Sequence, residues 1–89
     1  MTFQSKTTAQ ALRVLLAEDE PLIAETLGDA LEDAGFAVLK AADTDSALAI
    51  LKTQDPDIVL TDIRMPGAGG MELLRSSMAS DENRPVIVM

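Results

Sequence analysis

The stretch Pro56-Asp57-Ile58-Val59-Leu60-Thr61-Asp62-Ile63-Arg64-Met65-Pro66-Gly67-Ala68-Gly69-Gly70 decides how the chain folds. Its first part is a short, almost wholly apolar run, the pattern of a strand buried on both faces. The run stops on a carboxylate, Asp62, and a loop rich in proline and glycine follows. Met71 to Met78 then carries Met71, Leu74 and Met78 at helical spacing. A buried strand, a polar turn at its C-terminal end and a helix make one unit of a parallel sheet.

The same unit occurs upstream. Arg13-Val14-Leu15-Leu16-Ala17 reads as a strand and ends abruptly at Glu18-Asp19-Glu20-Pro21. Ile23, Leu27, Ala30, Leu31 and Ala34 then recur with the period of an amphipathic helix. Pro21 suits the first helical turn, and Gly35 is placed to stop the helix in a left-handed cap. Phe36 to Ala41 reads as a weaker strand. Thr44 or Asp43 can cap a second helix with Ala47, Leu48 and Leu51 on one stripe, and Gln54-Asp55-Pro56 breaks it. Ser80 to Arg84 is polar and turn-like, and Pro85 to Met89 is a fourth apolar strand. Strands alternating with helices predict an α/β fold, a doubly wound parallel sheet built through right-handed crossovers. Residues 1–11 read as a flexible N-terminal tail and 12–89 as the single domain that 89 residues allow.

Composition removes several chemistries. The chain has no cysteine and no histidine, so it carries no disulfide, thiolate nucleophile, histidine-dependent triad or Cys/His metal site. Fifteen acidic against seven basic side chains, a formal net charge of −8, argue against nucleic-acid binding through this segment. No apolar run approaches the ~18 residues of a membrane span, and Met1 to Ala11 lacks the apolar core of a secretory signal. These features lead us to expect a cytoplasmic chain without a membrane segment.

Carboxylates remain. In a parallel doubly wound sheet all strands end on one edge, and ligands bind there where the strand order reverses. If the first and third strands are neighbours, Glu18, Asp19 and Asp62 meet within a few ångströms. A hard cation such as Mg²⁺ relieves their repulsion, and a carboxylate oxygen can accept a phosphoryl group. The residues alone leave a plainer role open. Acidic residues after strands also cap helices or sit solvated, and Glu18-Asp19-Glu20 can serve as a charged first turn.

Leu15-Leu16-Ala17-Glu18-Asp19-Glu20-Pro21 and the 56–70 stretch together resemble the receiver domain of two-component response regulators, and the likeness extends from Arg13 to Met89. The resemblance implies a flavodoxin-like, CheY-like sheet of order 2-1-3-4 with three helices in this chain. It implies Asp62 as phosphoacceptor, and Mg²⁺ held by Asp19, Asp62 and the backbone carbonyl of Arg64, with Glu18 reaching the ion through water. Glu18 stands where Asp is frequent. Met65, Pro66 and Gly67 would shape the loop, and Gly70 would permit a tight approach into the third helix. The phosphoryl group would come from a sensor histidine kinase, a histidine phosphotransfer protein or a small phosphodonor. The domain would be a switch of a mainly bacterial family rather than a turnover enzyme.

The resemblance also implies a switch Ser or Thr after the fourth strand and a Lys after a fifth; neither has a counterpart in this chain. The expected domain therefore lacks its C-terminal part, the fourth and fifth helices and fifth strand. Val86 to Met89 would be an exposed apolar edge open to self-association. Two other readings compete with phosphoacceptance. One is a receiver-like interaction or dimerisation module that is not phosphorylated. The other is a dehalogenase-like phosphotransferase, disfavoured because Arg64 occupies the place of that family's second Asp.

Overall fold

The computed structural model describes residues 11–67 and 69–89; residues 1–10 of the expected tail lie outside them. Strand β1, Arg13–Ala17, is fully buried from Val14 onward, as its unbroken apolar run requires. It is central: the sheet order is β2-β1-β3-β4, with β2 at Ala37–Ala41, β3 at Ile58–Thr61 and β4 at Val86–Val88. All three pairings are parallel, with Leu15 opposite Leu39 and Val59, and Leu60 opposite Ile87. This is the predicted doubly wound sheet, and its order reverses between β1 and β3.

Side chains of one sheet face, Leu15, Ala17, Ala41 and Val59, join Ala47, Leu51, Met65 and Leu73 in the main core. Helices α2, Thr44–Gln54, and α3, Gly70–Ser80, cover this face and pack on each other. Helix α1, Pro21–Asp33, covers the opposite face, on which Val14 and Leu16 are buried. Pro21 opens α1, and Gly35 (φ 100°) follows its end. The Gly35 and Phe36 amides return to the Glu32 and Leu31 carbonyls.

Two helical stripes differ from the expected ones. On α1 the sheet-facing residues are Ala24, Leu27, Gly28 and Leu31, whereas Ile23 is 46% exposed and Ala30 and Ala34 face solvent. Gly28, the one fully buried residue of α1, has no hydropathy to reveal it. On α3 the buried residues are Gly70, Leu73 and Ser77, while Met71 and Met78 are 48% and 53% exposed and Leu74 is half-buried. Two overlapping stripes fit the helical period there. At Gly70 the missing side chain lets the start of α3 lie against the Asp62 and Ile63 backbone just beyond β3.

Arg84, expected in a polar turn, is 6% exposed. Its Nε donates to the Pro56 carbonyl at 2.7 Å, and Nη1 donates to the hydroxyls of Ser77 and Ser80 at 3.0 Å. Nη2 pairs with Asp55, whose side chain is exposed. The guanidinium ties the entry to β3 to the end of α3, at the opposite end of the sheet from Asp62.

Candidate functional site

Backbone pairing runs one residue past two strand ends. The Glu18 amide donates to the Ala41 carbonyl and the Asp62 amide to the Ala17 carbonyl, each at 3.0 Å. These bonds fix Glu18, Asp19 and Asp62 at the C-terminal rim of adjacent strands. A carboxylate oxygen from each lies within 4.8 Å of the others. Glu18 is buried, and Asp19 and Asp62 are more open to solvent. Glu18 Oε2 accepts the Glu20 amide at 3.1 Å, and Asp62 Oδ1 accepts the Arg64 amide at 3.2 Å.

No ion pair reaches these three carboxylates among the described residues; the two ion pairs found are Arg75–Glu72 and Arg84–Asp55. An octahedral Mg²⁺ with ligands at about 2.0–2.1 Å holds opposite oxygens about 4.2 Å apart. The observed spacing fits such an ion after small side-chain rotations or with a bridging water. An all-oxygen set without Cys or His also suits a hard cation. The rim opens on a groove of about 480 Å³ whose lining includes Glu18, Asp19 and Lys40. A hollow of about 500 Å³ lies elsewhere, between α2 and α3, against Leu48, Leu51 and Lys52. Its polar lining, Lys52, Asp55, Ser76 and Ser80, includes a single carboxylate, whereas three converge at the rim, so the carboxylate rim is the chemical candidate.

The loop after Asp62 is held from several sides. Met65 is buried in the main core. The Arg64 side chain is exposed. Gly67 has φ 96°, a region that disfavours other side chains, and a Cβ there would stand 3.1 Å from the Thr44 Cβ. A Cβ on Gly70 would stand 2.7 Å from the Asp62 carbonyl oxygen and 2.9 Å from the Ile63 Cα. Glycine is needed at Gly70 because two backbones meet, not because of its φ.

The sequence reading took Thr44 only as a possible helix cap and missed its contacts with this loop. It has no exposed surface and begins α2. Its amide and hydroxyl both donate to the Pro66 carbonyl, at 3.2 and 3.0 Å, and its Oγ1 accepts the Gly69 amide at 2.8 Å. The sequence signal at this position was a helix cap, and Asp43 fills that role by accepting the Ser46 amide at 2.7 Å. That backbone hydrogen bond holds the Asp43 carboxyl below its ordinary range.

Comparison with known proteins agrees with this geometry. The family model described as response regulator receiver domain matches residues 14–89. The C4-dicarboxylate transport transcriptional regulatory protein DctD of Pseudomonas aeruginosa is 42% identical over 77 residues, which are 86% of this chain and 17% of that protein. The virulence transcriptional regulatory protein PhoP of Salmonella typhimurium is 36% identical over 78 residues, 88% of this chain and 35% of that protein. The chain thus spans about a third or less of these curated regulators. Among solved structures, the chemotaxis response regulator CheY4 of Vibrio cholerae superposes with a TM-score of 0.83 at 28% identity, covering 88% of this chain and 67% of that one. A receiver domain from Clostridium thermocellum gives 0.82 at 30% identity, covering 86% and 63%.

Proposed function

The chain belongs to the response regulator receiver domain family, and from that premise we propose that it accepts a phosphoryl group on Asp62 from a phosphohistidine of a partner sensor kinase or phosphotransfer protein. The meeting of Glu18, Asp19 and Asp62 oxygens within 4.8 Å at one rim carries this reading. Asp19, Asp62 and the Arg64 main-chain carbonyl would hold Mg²⁺, with Glu18 reaching it through water. When bound, the ion supplies positive charge for the phosphoryl oxygens. The Arg64 amide restricts rotation of the Asp62 carboxylate. Pairing of the Asp62 amide to Ala17 fixes the nucleophile's backbone relative to Glu18 and Asp19. With no histidine in this sequence, the donor imidazole belongs to the partner. The domain is a signalling fold; its chemistry is confined to its own phosphorylation and dephosphorylation, in the cytoplasm.

Incubation with acetyl phosphate and Mg²⁺ tests the reading. We expect one added phosphoryl group by intact mass, lost on chelation of Mg²⁺ and absent in Asp62→Asn with the circular dichroism spectrum retained. Unchanged labelling of that variant overturns the assignment.

A second reading, an interaction module indifferent to phosphorylation, draws support from β4. This strand has one neighbour among the described residues and presents Ile87 and Val88 at 53% and 40% exposure. Such an edge offers main-chain groups to which another strand could pair. Metal binding without labelling, with concentration-dependent dimerisation, is the result that would favour this reading.

A further inference from the structure

We propose that Thr44 is a positioning residue for the acceptor site, its hydroxyl holding the loop that joins Asp62 and Arg64 to α3. This rests on the reading of Asp62 as a Mg²⁺-dependent phosphoacceptor and adds a determinant outside the carboxylate rim. The hydrogen bonds of its hydroxyl go to Pro66 and Gly69 and not to the carboxylates, so it acts through the loop.

A threonine hydroxyl has one proton to donate and lone pairs to accept with. Here the proton goes to the Pro66 carbonyl and a lone pair takes the Gly69 amide, so one atom bridges both sides of Gly67. The Thr44 amide, free of a helical partner in the first turn of α2, also donates to Pro66. The loop therefore satisfies the start of α2, and α2 fixes the loop. Met65 anchors the preceding residue in the core, and Gly70 packs on the Asp62 carbonyl. Between these two supports the Thr44 hydroxyl sets the path of the segment next to the Arg64 carbonyl. It is sealed from water, so no solvent molecule replaces a lost bond without opening the fold.

Thr44→Val keeps the shape and removes the hydroxyl; Thr44→Ser keeps the hydroxyl. Mg²⁺ affinity of the full chain, read from amide NMR shifts, is the decisive quantity, because indirect supports of a metal ligand typically alter affinity by about 10–100-fold. We expect Thr44→Val to bind Mg²⁺ about tenfold more weakly, with a native circular dichroism spectrum and faster exchange of the Gly69 amide. Thr44→Ser should restore both. Equal Mg²⁺ affinity in a folded Thr44→Val overturns the proposal. If Thr44→Val does not fold, exchange of the Gly69 amide in the unsubstituted chain decides: it should slow when Mg²⁺ saturates, and no change overturns the proposal. Failure of the unsubstituted chain to bind Mg²⁺ or to be labelled at Asp62 overturns the parent reading instead, and this one with it.

Discussion

Arg84→Met should destabilise the domain by about 3–4 kcal/mol, which is large for its size. The methionine keeps most of the aliphatic stem, so packing loss is small. What goes is the guanidinium, whose side chain is 3% exposed. Asp55 is exposed and regains water when its partner leaves, so that ion pair contributes little. Pro56 and Ser77 are buried and lose the donor to their oxygens. Each stranded buried acceptor costs about 1–3 kcal/mol, which gives about 4 kcal/mol at mid-range for the two. A domain of this length holds roughly 4–13 kcal/mol in total, and each kilocalorie moves the melting point by about 4–8 °C. The variant should therefore melt at least about 12 °C lower. Urea unfolding followed by far-ultraviolet circular dichroism is the assay, because the chain has no Trp or Tyr to serve as a fluorescent reporter. Arg84→Lys should fall between, since an ammonium reaches one acceptor but not the fork. Added salt should change little. A loss under about 1 kcal/mol for Arg84→Met refutes the stranded-acceptor argument.

Two glycines should respond with opposite signs. Gly70→Ala forces a methyl against the Asp62 and Ile63 backbone, and should cost about 1–3 kcal/mol and weaken Mg²⁺ binding in a combined melt and titration. Gly28→Ala meets only the far end of the Lys40 side chain, so improved helix propensity should prevail and raise stability by up to about 1 kcal/mol in thermal melts. The depressed Asp43 carboxyl favours the folded state above its unfolded pKa; that contribution should fall away as pH drops through the lower folded value. Carboxyl NMR titration should place Asp43 below ordinary aspartates, and Asp43→Asn should remove this pH dependence while leaving the helix capped.

How much the sequence disclosed varied with the kind of contact. β1 was legible because burial on both faces leaves an unbroken apolar run, Val14 to Ala17; β3 shows the same apolar run, but only Val59 and Thr61 are buried, and Ile58 and Leu60 on its other face are half-buried, contrary to the expected burial on both faces. The meeting of Glu18, Asp19 and Asp62 followed from parallel topology, which sends both strand ends to one rim. The faces of α1 and α3 were misread because their contact points, Gly28, Gly70 and Ser77, are small or polar and leave no hydrophobic signature. The burial of Arg84 and the loop contacts of Thr44, read only as a possible helix cap, were hidden for another reason. Their partners lie 28 and 22 residues away, at Pro56 and Pro66, and no local pattern marks a buried polar side chain whose acceptors are distant main-chain carbonyls.

Glu18 takes its main-chain acceptor, Ala41, from β2, an outer strand of the sheet. Ala41 is itself packed in the main core, so Glu18 leans on an outer strand at a well-held point, while Asp62 leans on the central β1. The charged trio thus depends on both neighbours of β1, and β2, which supplies none of the three carboxylates, shares in keeping them in register.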